Sequence, residues 1–217
     1  ELESDVAELS EFAALEAPVA GRLALEAEVA GPLDALTVQA RATGEGLAYG
    51  EFRDAALAAN FAWSAAERRV RVDELSLAGP FGAIEGTANV FIGDGDDRGT
   101  LALRLERLDL APVSRQFDLP LVVAARANGA VEASWPGLDF EQAEADATLR
   151  LAPTRPAAAL DVLPLAGSLT ARVAPNVIRA DVRGLEALGT RLDGVVRIDG
   201  MERLGGQLQI AVAALDE

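Results

Sequence analysis

The feature that most constrains the fold is an alternation of apolar and polar residues over residues 19–43. Gly31 and Pro32 separate two alternating runs, and this pair of residues marks a turn. A period of two places every second side chain on the same face, which is typical of half-buried β-strands. The sequence therefore predicts two strands joined by a tight turn, each with one apolar face.

Similar runs follow along most of the chain as far as Val212. We count roughly a dozen, at about the 8–12-residue spacing that is common in all-β proteins. A slip in register is expected between Val72 and Leu75, and the glycines of residues 44–50 are expected to form a broken connection. The predicted class is all-β, with a largely antiparallel sheet.

Helical content is predicted to be small, at one or two short helices. The best candidate is residues 4–15, where apolar residues recur at a spacing of three, Ser4 is a suitable N-cap and Pro18 ends the pattern. Residues 105–112, followed by Leu119 and Pro120, parallel this arrangement of helix, proline and strand.

Short internal repeats suggest an extended array of strands. Residues 18–23 read P-V-A-G-R-L and residues 164–169 read P-L-A-G-S-L, while residues 81–86 have a counterpart in residues 188–194. Repeats of this kind favour a solenoid or an open array over a closed barrel. The break at residues 153–156 is either a seam between two subunits of the array or an irregular loop, and we favour the loop.

The apolar faces of such strands must meet a second sheet, a helix or an apolar ligand. The sequence leaves open whether the sheet packs as an elongated sandwich or curls into an open trough. Trp63 and Trp135 fall on the apolar faces and are expected to be packing residues rather than a platform for a ligand.

The sequence contains few side chains suited to catalysis, because its 217 residues include no histidine, cysteine or lysine. Thiol and amine nucleophiles, Ser-His-Asp triads and nearly all zinc sites are thereby excluded from this segment. The carboxylates fall mainly on the polar side of the strands, as Glu26, Glu28, Glu144 and Asp146 do. We predict neither an enzyme nor a cofactor.

The net charge of −16 argues against nucleic acid or an anionic membrane surface as a direct partner. Residues 94–99 partly match a calcium loop, but Arg98 stands at a ligand position and Leu105 occupies the twelfth place. A hairpin turn is the better interpretation, and no metal site is predicted. The chain begins at Glu1 in the middle of a pattern and stops at Glu217 directly after an alternating run, so we expect it to be an internal fragment of a longer protein. It carries no apolar run of the roughly 18 residues needed to cross a bilayer.

Three segments resemble the AsmA-like and TamB-like proteins of diderm bacteria. They are residues 18–36 (P-V-A-G-R-L-A-L-E-A-E-V-A-G-P-L-D-A-L), residues 77–90 (L-A-G-P-F-G-A-I-E-G-T-A-N-V) and residues 108–113 (L-D-L-A-P-V). The last precedes a strand with Gly129 near its centre. The resemblance is one of pattern over the whole chain, without a single signature residue.

This resemblance implies a long curved sheet, rolled into a taco-shaped trough with an apolar inner surface. It also implies a periplasmic protein that is anchored in the inner membrane and works with an Omp85-class outer-membrane barrel. Such proteins are linked to outer-membrane biogenesis and to the movement of phospholipid between membranes. Residues 1–217 would be an internal stretch of the trough, without the anchor or the partner-binding region.

Within such a trough, phospholipid acyl chains would contact a set of large apolar residues on one face of the strands. The candidates are Leu23, Leu25, Val29, Leu36, Val38, Phe61, Trp63, Leu101, Leu103, Val123, Leu149, Ile178 and Ile198. For any one of them, a place in an ordinary core is an equally good interpretation. The alternative function is a structural β-solenoid or passenger segment of a surface or secreted protein, without a ligand; its asparagine or small-residue ladders are not evident in the sequence.

Overall fold

The computed structural model describes residues 2–5, 19–93, 97–116, 121–154, 161–199 and 203–212, with side chains for most residues between 20 and 197. Within these ranges the chain forms 14 strands, one α-helix and two 3-10 turns. The strands are β1 (Leu2–Asp5), β2 (Val19–Ala30), β3 (Thr37–Tyr49), β4 (Phe52–Ser64), β5 (Arg69–Gly79), β6 (Gly82–Phe91), β7 (Arg98–Asp109), β8 (Val122–Pro136), β9 (Glu144–Pro153), β10 (Val162–Pro164), β11 (Ala166–Ala174), β12 (Val177–Ala187), β13 (Thr190–Asp199) and β14 (Arg203–Val212). Helix α1 is Leu110–Gln116, and the 3-10 turns are Leu33–Ala35 and Phe140–Gln142.

All the described strands belong to one open sheet. Its order is β1-β2-β3-β4-β5-β6-β7-β8-β9-β11-β12-β13-β14, and each pair on this path is antiparallel. Strand β10 lies off the path and pairs in parallel with residues 122–124 of β8. The predicted all-β, largely antiparallel class is confirmed, and the described strands adopt the open sheet rather than the sandwich.

Several local predictions can be compared with these elements. The hairpin of β2 and β3 is confirmed, but residues 31–36 join its strands through a 3-10 turn rather than a tight turn. The slip of register between Val72 and Leu75 is confirmed. The connection expected over residues 44–50 is wrong, because β3 continues through a bulge to Tyr49. The helix expected over residues 4–15 is wrong at its start, because Ser4 pairs with Leu23 in the sheet; residues 6–15 lie outside the described residues. β11 pairs with β9, so the sheet continues past the break at residues 153–156.

The repeated A-G segments mark two equivalent β-bulges. Gly21 of β2 and Gly167 of β11 have φ angles of +123° and +130°, and the pairing register shifts at both positions. A Cβ on either glycine would lie within 3 Å of the backbone of the neighbouring strand, at Gly46 and Gly184 respectively. Only glycine fits both the φ angle and the close approach. The sequence repeat is therefore a repeat of bulge geometry.

Two bulges are held by a side chain on the neighbouring strand. The backbone N–H of Arg107 donates to Asn128 Oδ1 at 2.9 Å, and the N–H of Gly184 donates to Asp193 Oδ1 at 2.6 Å. In each case two residues of the bulged strand lie opposite the one residue that supplies the acceptor. The acceptor satisfies an N–H that the local register leaves out of the ladder.

Helix α1 lies at the end of β7 and links distant strands. Asp109 caps it by accepting from the N–H of Ala111 at 3.0 Å, and proline is tolerated in the first turn that follows. The buried Ser114 Oγ donates to the carbonyl of Leu110 at 2.8 Å and accepts from the N–H of Val123 in β8 at 3.0 Å. Ser114 therefore connects helix α1 to the start of β8.

The other side of α1 meets the β3–β4 turn. Gln116 Oε1 accepts from the N–H of Glu51 at 3.2 Å, and Arg115 pairs with the Glu51 carboxylate at 3.5 Å. Next to the helix lies the core of the molecule, which we call the packed end of the sheet. Its buried residues are Ala55, Phe81, Leu105, Leu108, Ala125, Ala127 and Leu151. Most strong burial is therefore near one end of the strands.

Candidate functional site

The strands present one continuous apolar surface, which we call the apolar face. Residues directly opposite each other in neighbouring strands lie on the same side of a sheet, so the register defines rows across it. The row through Leu101 contains only apolar residues in eleven successive strands. It runs Ala27, Ala40, Phe61, Val72, Ala88, Leu101, Ala133, Ala145, Val173, Ile178 and Ile198.

Neighbouring rows repeat this composition. One row contains Leu25, Ala42, Ala59, Leu75, Gly86, Leu103, Val131, Ala147, Ala171, Ala180 and Val196. A shorter row contains Val29, Val38, Trp63, Val70 and Val90. Several of these residues, such as Val70 and Val131, were not among the candidates, although the same alternation could have identified them.

The structure brings most of the predicted candidates together on this face. Leu23, Leu25, Val29, Val38, Phe61, Trp63, Leu101, Leu103, Leu149 and Ile178 all stand in such rows. Leu36 precedes β3 and is half-buried at the β2–β3 turn. Ile198 pairs with Ile178 in the register, and its side chain lies outside the described residues. That these residues contact lipid stays a prediction.

Burial divides the apolar face into two regions. Val123 and Leu149 pack against the core of the packed end and belong to the folded interior. Towards the other ends of the strands the large apolar side chains are mostly half-buried, and Val29 is 63% exposed. Leu25 and Ile178 are also exposed. This second region, which contains Val38, Phe61 and Leu101, is the candidate binding surface.

The described elements form a single layer over most of this region. Apart from α1, β10 and the 3-10 turn of residues 140–142, the principal contacts among described elements are between neighbouring strands. The apolar side chains of this region are therefore not enclosed by a second layer of described structure.

The opposite face of the sheet is polar and carries cross-strand pairs. Arg172 Nε donates to Asp146 Oδ1 at 2.7 Å, which raises the pKa of Arg172, and Arg98 pairs with Glu144 at 3.2 Å. A concavity of about 670 Å³ on this face is lined by charged and amide side chains that include Glu26, Arg41, Asn60, Arg71 and Asp73. The charges therefore lie on the side away from the candidate binding surface.

The tryptophans follow the prediction to different extents. Trp135 is buried, contacts Gly99 closely and lies 5.2 Å from the ring of Phe140, so its packing role is confirmed. Trp63 is half-buried between Val38 and Val70 in its row. The Trp63 ring is therefore part of the candidate binding surface as well as of the packing.

No group of acidic residues among the described side chains is arranged to hold a metal ion. Asp94 and Asp96 of the loop compared above with a calcium site lie outside the described residues. Helix α1, the α-helix in the described part of the chain, is too short to span a bilayer.

No family model matches the chain, and no curated protein and no solved structure matches it at a significant level.

Proposed function

We propose that this chain is a segment of a lipid conduit of the AsmA-like or TamB-like type. In this proposal the apolar face holds phospholipid acyl chains as they pass between the inner and outer membranes, and the segment supports outer-membrane biogenesis. The parent protein is periplasmic, anchored in the inner membrane and joined to an Omp85-class outer-membrane barrel. The chain acts by binding and needs neither a catalytic residue nor a cofactor.

The observation that carries the proposal is the unbroken apolar row through Leu101. Eleven strands separated by about 4.8 Å give this row a length of roughly 48 Å. No charged residue interrupts it, although charged residues are frequent on the other face. A surface that is apolar along its length and uncovered by a second described layer suits a mobile acyl chain.

The energetics favour this occupant. Moving an acyl chain of about 16 carbons from a bilayer into water costs roughly 13 kcal/mol, at about 0.8 kcal/mol per methylene. An apolar strip of alanine, valine and leucine removes most of this barrier because it replaces water along the chain. It also offers no fixed polar group that would hold the lipid at one place.

The test compares two double variants with equal charge on opposite faces. Val38→Arg with Leu101→Arg places two guanidinium groups on the apolar face. Gln39→Arg with Ala102→Arg, in the same two strands, places them on the polar face. Each variant is expressed in bacteria and purified, and bound phospholipid is measured by native mass spectrometry and by extraction. Circular dichroism checks that both remain β-folded.

We expect phospholipid to co-purify with the unmodified chain and with the Gln39/Ala102 variant, and to be lost from the Val38/Leu101 variant. An unmodified chain that carries no phospholipid would refute the proposal, as would equal lipid loss from both variants. The structural β-solenoid alternative gains no support from the fold, because solenoid coils stack in parallel whereas the described strands pair antiparallel along the sheet.

A further inference from the structure

The β8–β9 turn presents two large apolar side chains to solvent. Leu138 is 52% exposed and Phe140 is 59% exposed, at the end of the sheet opposite to α1. Burial of large apolar side chains is favourable, so the exposure of two of them at one turn has a cost that a partner would remove. The lipid proposal does not use these residues.

The turn is held in place by several contacts. Phe140 rests on the buried ring of Trp135, with 5.2 Å between the ring centroids. The carboxylate of Asp139 accepts from the N–H of Glu141 at 3.1 Å and so caps the 3-10 turn. The N–H of Gly137 donates to the carbonyl of Asp97 at 2.9 Å, which joins the turn to the start of β7. A fixed apolar projection loses little entropy on binding.

Acidic residues surround this projection. Asp97, Asp139 and Glu141 are exposed, and among the described residues none of them has an ion-pair partner. The nearby cation, Arg98, is already engaged with Glu144 at 3.2 Å and with Ser134 Oγ at 3.0 Å. The local negative charge therefore stays available to a partner.

We propose that the β8–β9 turn is a docking surface for a protein segment that carries arginine or lysine beside apolar residues. Leu138 and Phe140 supply the apolar contact, and Asp97, Asp139 and Glu141 select the basic partner through complementary charge. A second copy of this chain fits poorly, because each copy carries a net charge of −16. An anionic membrane is disfavoured for the same reason.

The probe is a short fluorescent peptide of alternating leucine and arginine, with a leucine–glutamate peptide as its control. Binding is measured by fluorescence anisotropy, and the emission of Trp135 reports whether the peptide sits at the turn, in a chain carrying Trp63→Phe. The test variant is Leu138→Ser with Phe140→Ser, which keeps the net charge. Leu188→Ser is the matched control, because Leu188 is 62% exposed in the β12–β13 turn, which lies at the other end of the strands.

We expect the arginine peptide to shift the Trp135 emission and the Leu138/Phe140 variant to bind it about tenfold more weakly. Leu188→Ser should leave the affinity unchanged, and Asp97→Asn with Glu141→Gln should weaken binding and reduce its salt dependence. Equal affinity of the Leu138/Phe140 variant, or equal binding of the glutamate peptide, overturns the proposal. So does a Trp135 shift produced by phosphatidylcholine vesicles and not by the peptide, which would assign the turn to a membrane. These outcomes are independent of lipid on the apolar face.

Discussion

Replacing Gly167 by alanine should destabilise the sheet strongly, because this position combines two requirements for glycine. Its φ angle is +130°, a conformation that costs a residue with a side chain about 1–3 kcal/mol. An added Cβ would also lie 2.5 Å from the carbonyl oxygen of Gly184 and 2.7 Å from Leu185 Cα. Both contacts are with backbone atoms of the neighbouring strand, so a shift in the pairing of β11 and β12 is needed to relieve them.

The matched control is Gly189→Ala in the β12–β13 turn. Gly189 has a φ angle of +75°, and a Cβ there would meet no atom within 4 Å. Its replacement should cost about 1 kcal/mol, for the left-handed backbone alone. For Gly167→Ala we expect a destabilisation of about 3 kcal/mol, because the backbone contacts add to a similar conformational strain. The lower conformational entropy of alanine in the unfolded chain offsets less than about 1 kcal/mol of this.

The assay is urea unfolding, followed by circular dichroism at pH 7. With a slope of about 2 kcal/mol per molar urea, the difference of about 2 kcal/mol places the midpoint of Gly167→Ala about 1 M below that of Gly189→Ala. Equal midpoints for the two variants would refute the bulge argument. Gly21→Ala should behave like Gly167→Ala, because the same close approach occurs at Gly46.

Three further predictions concern hydrogen bonds that hold the sheet. Ser114→Ala should lower the free energy of unfolding by about 1–3 kcal/mol in the same urea assay, because the N–H of Val123 is left without its acceptor. Asn128→Ala should lower it by about 0.5–1.5 kcal/mol, through loss of the bond from the N–H of Arg107. The pKa of Asp193 should lie below the usual aspartate value of about 3.9 in an NMR titration. Its carboxylate accepts a hydrogen bond from the backbone N–H of Gly184 and a second one from the Arg191 side chain, and both favour the charged form.

Control variants distinguish the loss of a single hydrogen bond from nonspecific destabilisation. Ser168→Ala, at an exposed serine of β11, should be neutral, and Asn128→Asp should restore stability because it keeps the acceptor oxygen.

Since the pKa of Asp193 is lower in the folded state, the contribution of its carboxylate to stability is complete above the unfolded pKa and is lost as pH falls through the folded pKa. Asp193→Asn should therefore flatten the acid limb of the stability curve. An unchanged acid limb, or a raised pKa, would contradict this account.

Local sequence pattern decided much of the fold. The alternation of β2, β3, β7 and β9 assigns each residue to one face, because side chains in a strand alternate between the two sides. Gly31 and Pro32 mark the first turn for reasons of backbone geometry alone. The short A-G repeats also fall at two bulges, but the sequence did not predict a bulge at either position.

Other features depended on contacts between distant parts of the chain. Glycines weaken an isolated strand, and for this reason the sequence predicts a break at residues 44–50. In the structure, pairing with β2 and β4 keeps residues 44–49 in the sheet through a bulge. The candidates Val123 and Leu101 have the same strand pattern, yet only Val123 packs against the core beside α1. The sequence could not distinguish them because burial depends on what lies above the strand.

The sequence by itself determined an all-β chain with one apolar and one polar face, because a period of two is a property of neighbouring residues. Tertiary structure decided that the sheet stays open and that its packing is concentrated at one end. That end forms where Gln116 of α1 meets Glu51 of the β3–β4 turn, 65 residues earlier in the chain. No local pattern encodes such a contact, since it exists only after the strands between the two residues have paired.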